Sequence, residues 1–236
     1  MTSLSLLLWI VLGIALQVGL FLGISFWQHW QSYSRLKHGQ PAADESIPAV
    51  NPPKEEVSGW SGFRPFKVVR RDIEDSARQI CSFYLESEDR QPLPSYKPGQ
   101  FLTFRLDVPK ADGSGTEQIT RCYSLSDAPQ SDHYRVSIKR VPPSPKSHHP
   151  PGRSSNFFHD HVQVGTTRQV RAPSGHFTLE PGSSPILLIA GGIGITPMLS
   201  MLNWCHSQQP EREVWFFYGV RNSKETAFVA HLSAIA

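Results

Sequence analysis

The chain has 236 residues, of which 39% are hydrophobic and 18% charged, and a formal net charge of +3. That is room for one large domain or two modest ones with a packed core, and with no Lys/Arg block or basic aromatic stripe, nucleic acid is excluded as an expected partner. The three cysteines, Cys81, Cys122 and Cys205, are scattered and form no CxxC pair. Such a set is no disulfide framework, suits a reducing compartment, and cannot supply the four thiolates of an ordinary two-iron cluster.

Residues 4–27 carry no charge, and only Ser5, Gln17 and Ser25 interrupt their apolar run. As a helix they would span roughly 36 Å, against a hydrocarbon core of about 30 Å. Trp27, Trp30 and Tyr33 follow as an interfacial aromatic belt. A cleavable signal has a shorter apolar stretch, a basic lead and a small-residue cleavage site; here no Lys or Arg precedes the run and bulky residues follow it. Residues 1–37 are therefore predicted to be an uncleaved transmembrane anchor with its flank. Arg35 and Lys37 lie on its C-terminal side, which places the rest of a single-pass membrane protein in the cytoplasm.

Residues 38–61 hold Pro41, Pro48, Pro52 and Pro53 among mixed charges and read as a linker. Six β-prone runs follow, over 66–71, 79–86, 101–107, 121–126, 134–140 and 168–172, separated by turn-formers such as Pro98-Gly99. This spacing predicts an antiparallel barrel or sandwich over 62–182. The pattern then changes. Two all-apolar strands, 186–190 and 214–218, flank a helix over 197–206, the start of a parallel α/β domain over 183–236. Residues 224–236 are predicted to be helical. There are no internal repeats.

Alternation along a strand puts Arg121 and Tyr123 on one face, with Ser124 on the other face or at the strand end. A guanidinium suits a pyrophosphate, an aromatic ring can stack on an isoalloxazine, and a hydroxyl can reach a ring nitrogen. The same residues also fit an ordinary barrel strand. Ser154 or Ser155 could cap a helix running to about His161, leaving backbone N–H groups for a phosphate; a plain cap is the other reading. Gly191-Gly192-Ile193-Gly194-Ile195-Thr196-Pro197 follows an apolar strand and opens a helix, the context of a dinucleotide turn, with Thr196 as N-cap and Pro197 as first helical residue. The third glycine of the common fingerprint is absent.

No metal site is predicted: His148, His149, His159 and His161 lack a completing Cys or carboxylate cluster and read as surface or loop residues. Cys122 reads as a small buried thiol, or as a neighbour of the flavin if the Arg121 strand binds one.

Taken in order, Tyr96-x-Pro98-Gly99-Gln100-Phe101, Arg121-x-Tyr123-Ser124, Gly152-x-x-Ser155-Asn156, Pro173-x-Gly175-x-Phe177, the glycine turn and Tyr218-Gly219-x-Arg221 make residues 62–228 resemble the ferredoxin–NADP reductase superfamily. The chain looks most similar to the reductase portions of flavohaemoglobins and of oxygenase reductases. The resemblance implies an FAD-binding antiparallel barrel followed by an NAD(P)-binding α/β domain. It also implies an oxidoreductase that passes electrons from NADH or NADPH through FAD to a one-electron acceptor such as an iron–sulfur protein. Arg121 would bind FAD phosphate, Tyr123 would pack on the flavin, and Ser124 would reach its redox-active edge. Ser155 and Asn156 would hold the pyrophosphate. Gly191, Gly192, Gly194, Thr196 and Pro197 would lie along the nicotinamide cofactor. Tyr123 and Ser124 are the candidates nearest the chemistry.

Only 52 residues follow Ser184, so the nucleotide domain is expected to be partial and the polypeptide a fragment or truncated product. Two parallel strands would leave an apolar edge unpaired. The alternative function is therefore a non-catalytic FAD-binding or interaction module. The proline-dense segment 141–152 is longer than the family's loop, and Arg221 stands where a 2′-phosphate contact is conceivable.

Overall fold

The computed structural model describes residues 59–110, 112–143 and 150–235. The expected anchor over 4–27, nearly all of the linker, and His148 and His149 lie outside the described residues. Among the described residues, no helix is long and apolar enough to cross a membrane.

Six strands form one antiparallel sheet: β1 (Arg64–Ile73), β2 (Ile80–Ser87), β3 (Phe101–Pro109), β4 (Thr116–Ser124), β5 (Tyr134–Lys139) and β6 (Thr167–Ser174). Their spatial order is β4-β3-β6-β1-β2-β5. The two end strands then meet. Leu125, just past β4, bridges Val136 on β5, and the Ser126 N–H donates to the Arg135 carbonyl at 2.9 Å. The sheet thereby closes into a barrel at that end, and among the described residues the rest of β4 pairs with β3 alone.

Alternation fills the interior. Leu102, Phe104, Leu106 and Val108 of β3 point inward, as do Tyr134, Val136 and Ile138 of β5. Helix α1 (Arg153–His161) closes the core with Phe158, whose ring meets Phe83, Phe104 and Tyr123 edge-on at centroid distances of 5.2 Å each. Such edge-to-face pairs add to the burial of a full aromatic side chain.

Strands β2 and β5 are buried on both faces. The sequence of β5, Tyr134-Arg135-Val136-Ser137-Ile138-Lys139, alternates as if one face met water. Its polar face is instead covered by the nucleotide-side lobe. That lobe consists of strand β7 (Ile186–Gly191), a 3-10 turn (Gly192–Gly194), helix α2 (Ile195–Gln208), strand β8 (Val214–Gly219) and helix α3 (Val229–Ile235). Ile80 of β2 shares a small apolar core with Ala190, Ile195, Leu199, Ala227 and Phe228. Lys139 pairs with Glu225 at 2.7 Å, and the backbone bonds Ala77 N–H to Lys224 O and Phe228 N–H to Glu74 O lash the β1–β2 turn to the lobe.

β7 and β8 pair in parallel and in register from Ile186↔Val214 to Gly191↔Gly219. Leu188 and Ala190 face inward and are buried. The opposite face is not: Leu187, Ile189, Trp215 and Phe217 are 54–64% exposed. The continuous apolar runs predict strands buried on both faces, as parallel sheets require. Among the described residues only one face is covered, so alternate residues of both strands reach solvent.

Candidate active site

The flavin-side candidates lie on the open edge of the barrel. Arg121 and Tyr123 pair across from the inward-facing Phe104 and Leu102, and Ser124 across from Phe101. Arg121 belongs to the inward side by register, but β4 is an edge strand and its guanidinium is exposed. It donates to its neighbour's carbonyl, Thr120 O, at 2.8 Å, and forms no ion pair among the described residues. Tyr123 is half-buried with its ring against Phe104 and Phe158. Burial pushes its phenol above the ordinary tyrosine value, while Ser154 and Arg121 pull it back. Ser154 therefore brings the start of α1 beside the strand, and one place gathers a cation, a ring, two hydroxyls and a helix N-terminus.

That helix start differs from the expectation. Gly152 is the N-cap, in extended conformation with no side-chain cap, so Ser154 and Ser155 lie inside the first turn. The Gly152 N–H is taken by Val141 O at 3.0 Å, and no acceptor among the described residues meets the N–H groups of Arg153, Ser154 and Ser155. Free N–H groups at the positive end of a helix dipole suit a phosphate. Asn156 has a different engagement: its amide accepts from Val141 N–H at 2.9 Å and donates to Val141 O at 3.0 Å. It pins the incoming loop, and its side chain is not free for a pyrophosphate. Arg153 reaches Glu117 on β4 at 2.9 Å and holds that carboxyl below its usual value. A cleft of about 240 Å³ lies alongside, lined by Val108, Pro109, Gly152, Arg153 and Phe157 among others.

The nicotinamide-side candidates form the link between β7 and α2. Gly192 has φ +50°, a left-handed conformation that costs any other residue about 1 kcal/mol. A side chain added at Gly191, Gly192 or Gly194 would meet nothing within 4 Å. The space beside the turn is open, as close approach of a dinucleotide backbone requires. Helix α2 begins at Ile195, ahead of the expected Pro197, because the 3-10 turn feeds straight into it and Gly194 takes the cap position. Thr196 is consequently not the cap. Its hydroxyl donates back to Ile193 O at 3.2 Å. Pro197 falls in the first turn, where a missing N–H breaks no bond.

Other expectations also shift. Cys122 is an exposed free thiol on the outer face of β4, 3.4 Å from the Thr103 hydroxyl, because its neighbours Arg121 and Tyr123 take the inner face. His159 is no surface residue: it is buried, with a ring nitrogen 2.9 Å from Ile138 O. Desolvation lowers its pKa, and the neutral ring donating from Nε2 fits the contact. No cluster of three potential metal ligands occurs among the described residues. Arg221 is mostly exposed and bonds Glu225 at 2.8 Å.

The residues that join the two halves were not singled out in the sequence. Asp127, three positions beyond Ser124, meets helix α2: its carbonyl accepts from Ser200 Oγ at 2.6 Å and its carboxylate from Asn203 Nδ2 at 2.7 Å. The signal available was two polar residues one turn apart within the apolar stretch of α2, together with an arginine second in β5.

Residues 66–179 match the family of oxidoreductase FAD-binding domains, and residues 188–236 match that of oxidoreductase NAD-binding domains. The flavohemoprotein of Halalkalibacterium halodurans is 39% identical over 199 residues, 82% of this chain and 46% of that protein. The flavohem-like FAD/NAD-binding domain of a nitric oxide dioxygenase from Vibrio cholerae has a TM-score of 0.65 at 28% identity, over 74% of this chain and 69% of that one. Phthalate dioxygenase reductase, a structure for electron transfer from pyridine nucleotides to a two-iron centre, has a TM-score of 0.58 at 31% identity, over 73% of this chain and 48% of that one. The chain spans less than half the length of the curated flavohemoproteins it matches.

Proposed function

The chain belongs to the ferredoxin–NADP reductase superfamily, and on that footing we propose that it is a membrane-tethered flavoprotein oxidoreductase, taking electrons from NAD(P)H and delivering them singly to a separate acceptor. The observation that carries this reading is the juxtaposition of the two halves. Asp127 stands three residues beyond Ser124 and is bonded directly to the helix that the glycine turn opens.

Bound FAD would supply the conversion between the two-electron chemistry of NAD(P)H and one-electron delivery to the acceptor. The chain's own residues bind and orient. Arg121, exposed and without an ion pair among the described residues, would offer its two-pronged cation to phosphate oxygens, together with the first-turn N–H groups of α1. Tyr123, braced by Phe104 and Phe158, presents a fixed flat surface, and Ser124 offers a hydroxyl at the strand end. The open flank of Gly191, Gly192 and Gly194 receives the nicotinamide nucleotide. Residues 4–27, uncharged and long enough to span a bilayer, support tethering, with the cofactor-binding part on the cytoplasmic side. An acceptor with an iron–sulfur or haem centre fits the one-electron step.

The full chain, purified in detergent, should hold FAD with its visible spectrum, and NADH or NADPH should bleach that spectrum under anaerobic conditions. A colourless protein that ignores added FAD would sink the proposal. FAD binding without reduction by either nicotinamide would favour a non-catalytic module, the reading that the uncovered face of β7–β8 supports. Resistance of the chain to extraction from membranes at alkaline pH tests the tether.

A further inference from the structure

We propose that Asp127, Ser200 and Asn203 are positioning residues, a clasp that holds helix α2 and its glycine turn at a fixed offset from the end of β4. It would set the distance between hydride donor and flavin. This rests on the proposed reduction of FAD by NAD(P)H.

The clasp grips both ends of Asp127. Its backbone carbonyl accepts two hydroxyls at 2.6 Å, one from Tyr96 of the barrel and one from Ser200 of α2. Its carboxylate accepts from Asn203 Nδ2 at 2.7 Å and from its own neighbour's Ala128 N–H at 2.9 Å, and pairs with Arg135 Nη1 at 3.3 Å. The Asn203 carbonyl is in turn met by His231 Nε2 of α3 at 2.7 Å, which fixes which way the amide points. Ser200 and Asn203 sit one turn apart and are both buried, so they address one residue from one helix face.

Arg135 itself is anchored to the Ser126 carbonyl and donates to the Ser126 hydroxyl at 3.2 Å. From there a buried hydroxyl chain, Ser126 to Ser137 at 2.8 Å and Ser137 to Ser82 at 2.7 Å, runs down the face that β5 and β2 turn to the lobe.

Apolar contacts alone would not fix this register. The core shared by Ile80, Leu199 and Phe228 is non-directional and does not by itself single out one offset of α2 along the barrel. Hydrogen bonds to a single carbonyl and a single carboxylate are directional, and a slide would leave buried polar groups unpaired. The chain path makes the clasp short. Asp127 is three residues from Ser124, and Ser200 is four residues from Thr196.

Three variants of the full chain test the proposal: Asp127→Asn, Asn203→Asp, and the two combined, which exchange amide and carboxylate and restore the same hydrogen bond in reverse. Asn203→Asp sets two carboxylates face to face. It should slow flavin bleaching at saturating NAD(P)H by about 100-fold, the penalty for reacting atoms misplaced by about 1 Å. It should also weaken the long-wavelength charge-transfer absorbance that appears when nicotinamide stacks on flavin, with FAD affinity unchanged. The exchanged pair should recover most of both. A rate and band in Asn203→Asp within about twofold of wild type, or an exchanged pair no better than that single variant, would overturn the clasp. Should Asn203→Asp lose FAD, Asp127→Asn and the exchanged pair decide by the same readings.

If neither nicotinamide bleaches the wild-type flavin, the proposed function fails separately, and amide exchange decides. Exchange at residues 191–195 at least about tenfold faster in Asn203→Asp, with core amides of β3 unchanged, sustains the clasp, and equal exchange overturns it.

Discussion

The six-stranded antiparallel sheet and the two-stranded parallel pair put the same kind of residue in opposite surroundings. Phe104 on β3 is 0% exposed, whereas Phe217 on β8 is 54% exposed. The first sheet closes on itself and seals its remaining opening with Phe158 from α1. The second cannot close, and it leans one side of its helices on the outer face of β2 and β5. Stability therefore resides in the flavin-side half. The nicotinamide-side half carries the candidate glycine turn on a scaffold that, among the described residues, borrows its support. Perturbations should separate along that line.

The largest effect is expected at the plug. Phe158→Ala removes a fully buried ring that three aromatic neighbours contact at 5.2 Å, and should cost about 3–5 kcal/mol in chemical denaturation. FAD binding should weaken with it, because the same ring braces Tyr123. Arg121→Ala separates ligand from fold. The side chain is exposed and makes no ion pair among the described residues, so the FAD-free protein should melt unchanged. Loss of charge-assisted bonds to a phosphate is worth about 1.5–3 kcal/mol, or roughly 10–100-fold in the FAD dissociation constant by titration.

The barrel was more legible in the sequence than the way its parts dock. All six strands lie where β-prone runs end at turn-formers such as Gly99, whose φ of +103° beside Phe177 and Met201 admits little else, although β4 begins at Thr116, five residues ahead of the expected 121. The candidate residues Arg121, Tyr123 and Ser124 were legible as a motif, and the structure brings that strand beside the start of α1. What the sequence did not carry was long-range. Ser154 and Ser155 resemble caps, yet Val141, held by Asn156, fixes the helix entry and leaves the cap to Gly152. Arg135 and Ser137 look solvent-facing, because nothing local reveals that a lobe 60 residues on covers them. Cys122 and His159 were misplaced for the same reason, since inside and outside depend on which strand face the neighbours already occupy.

Smaller effects sharpen the functional side. Gly192→Ala should cost about 1 kcal/mol, from φ +50° alone, since the space around it is open. KM for NAD(P)H should rise while FAD affinity stays level; a change in FAD affinity instead would break the division between the halves. Acidification reads one histidine in each half. Burial lowers the pKa of His159 in the barrel and of His231 at the clasp, each from 6.5, with Arg140 and Arg135 respectively adding to the effect. Both are neutral when folded, so the unfolded chain takes up protons first. Melting temperature should fall as pH drops below about 6.5 and stay level above it as far as these groups are concerned. Half-buried Glu74, raised by desolvation, acts in the opposite sense, gaining stability as pH falls. His159→Gln keeps a donor for Ile138 O and should lessen the acid-side fall by a few degrees. An unchanged slope would mean that His231 and the carboxylates lowered by their cation partners, such as Asp160 and Glu225, set it.

The smallest effect should come from the uncovered face. Trp215 is 56% exposed, and its indole donates only to Glu213, two residues away, at 2.7 Å. Trp215→Ser and Ile189→Ser should therefore shift unfolding by no more than about 0.5 kcal/mol, the range for surface positions outside a packed core. Leu188→Ala, on the covered face of the same strand, should cost about 2–5 kcal/mol. The pair of measurements weighs one strand's two faces against each other. A loss above about 2 kcal/mol at Trp215 would show that the face is covered in the working protein, because only burial makes a truncation that costly. The nicotinamide-side half would then be as self-supporting as the barrel, and the contrast between the two sheets would close.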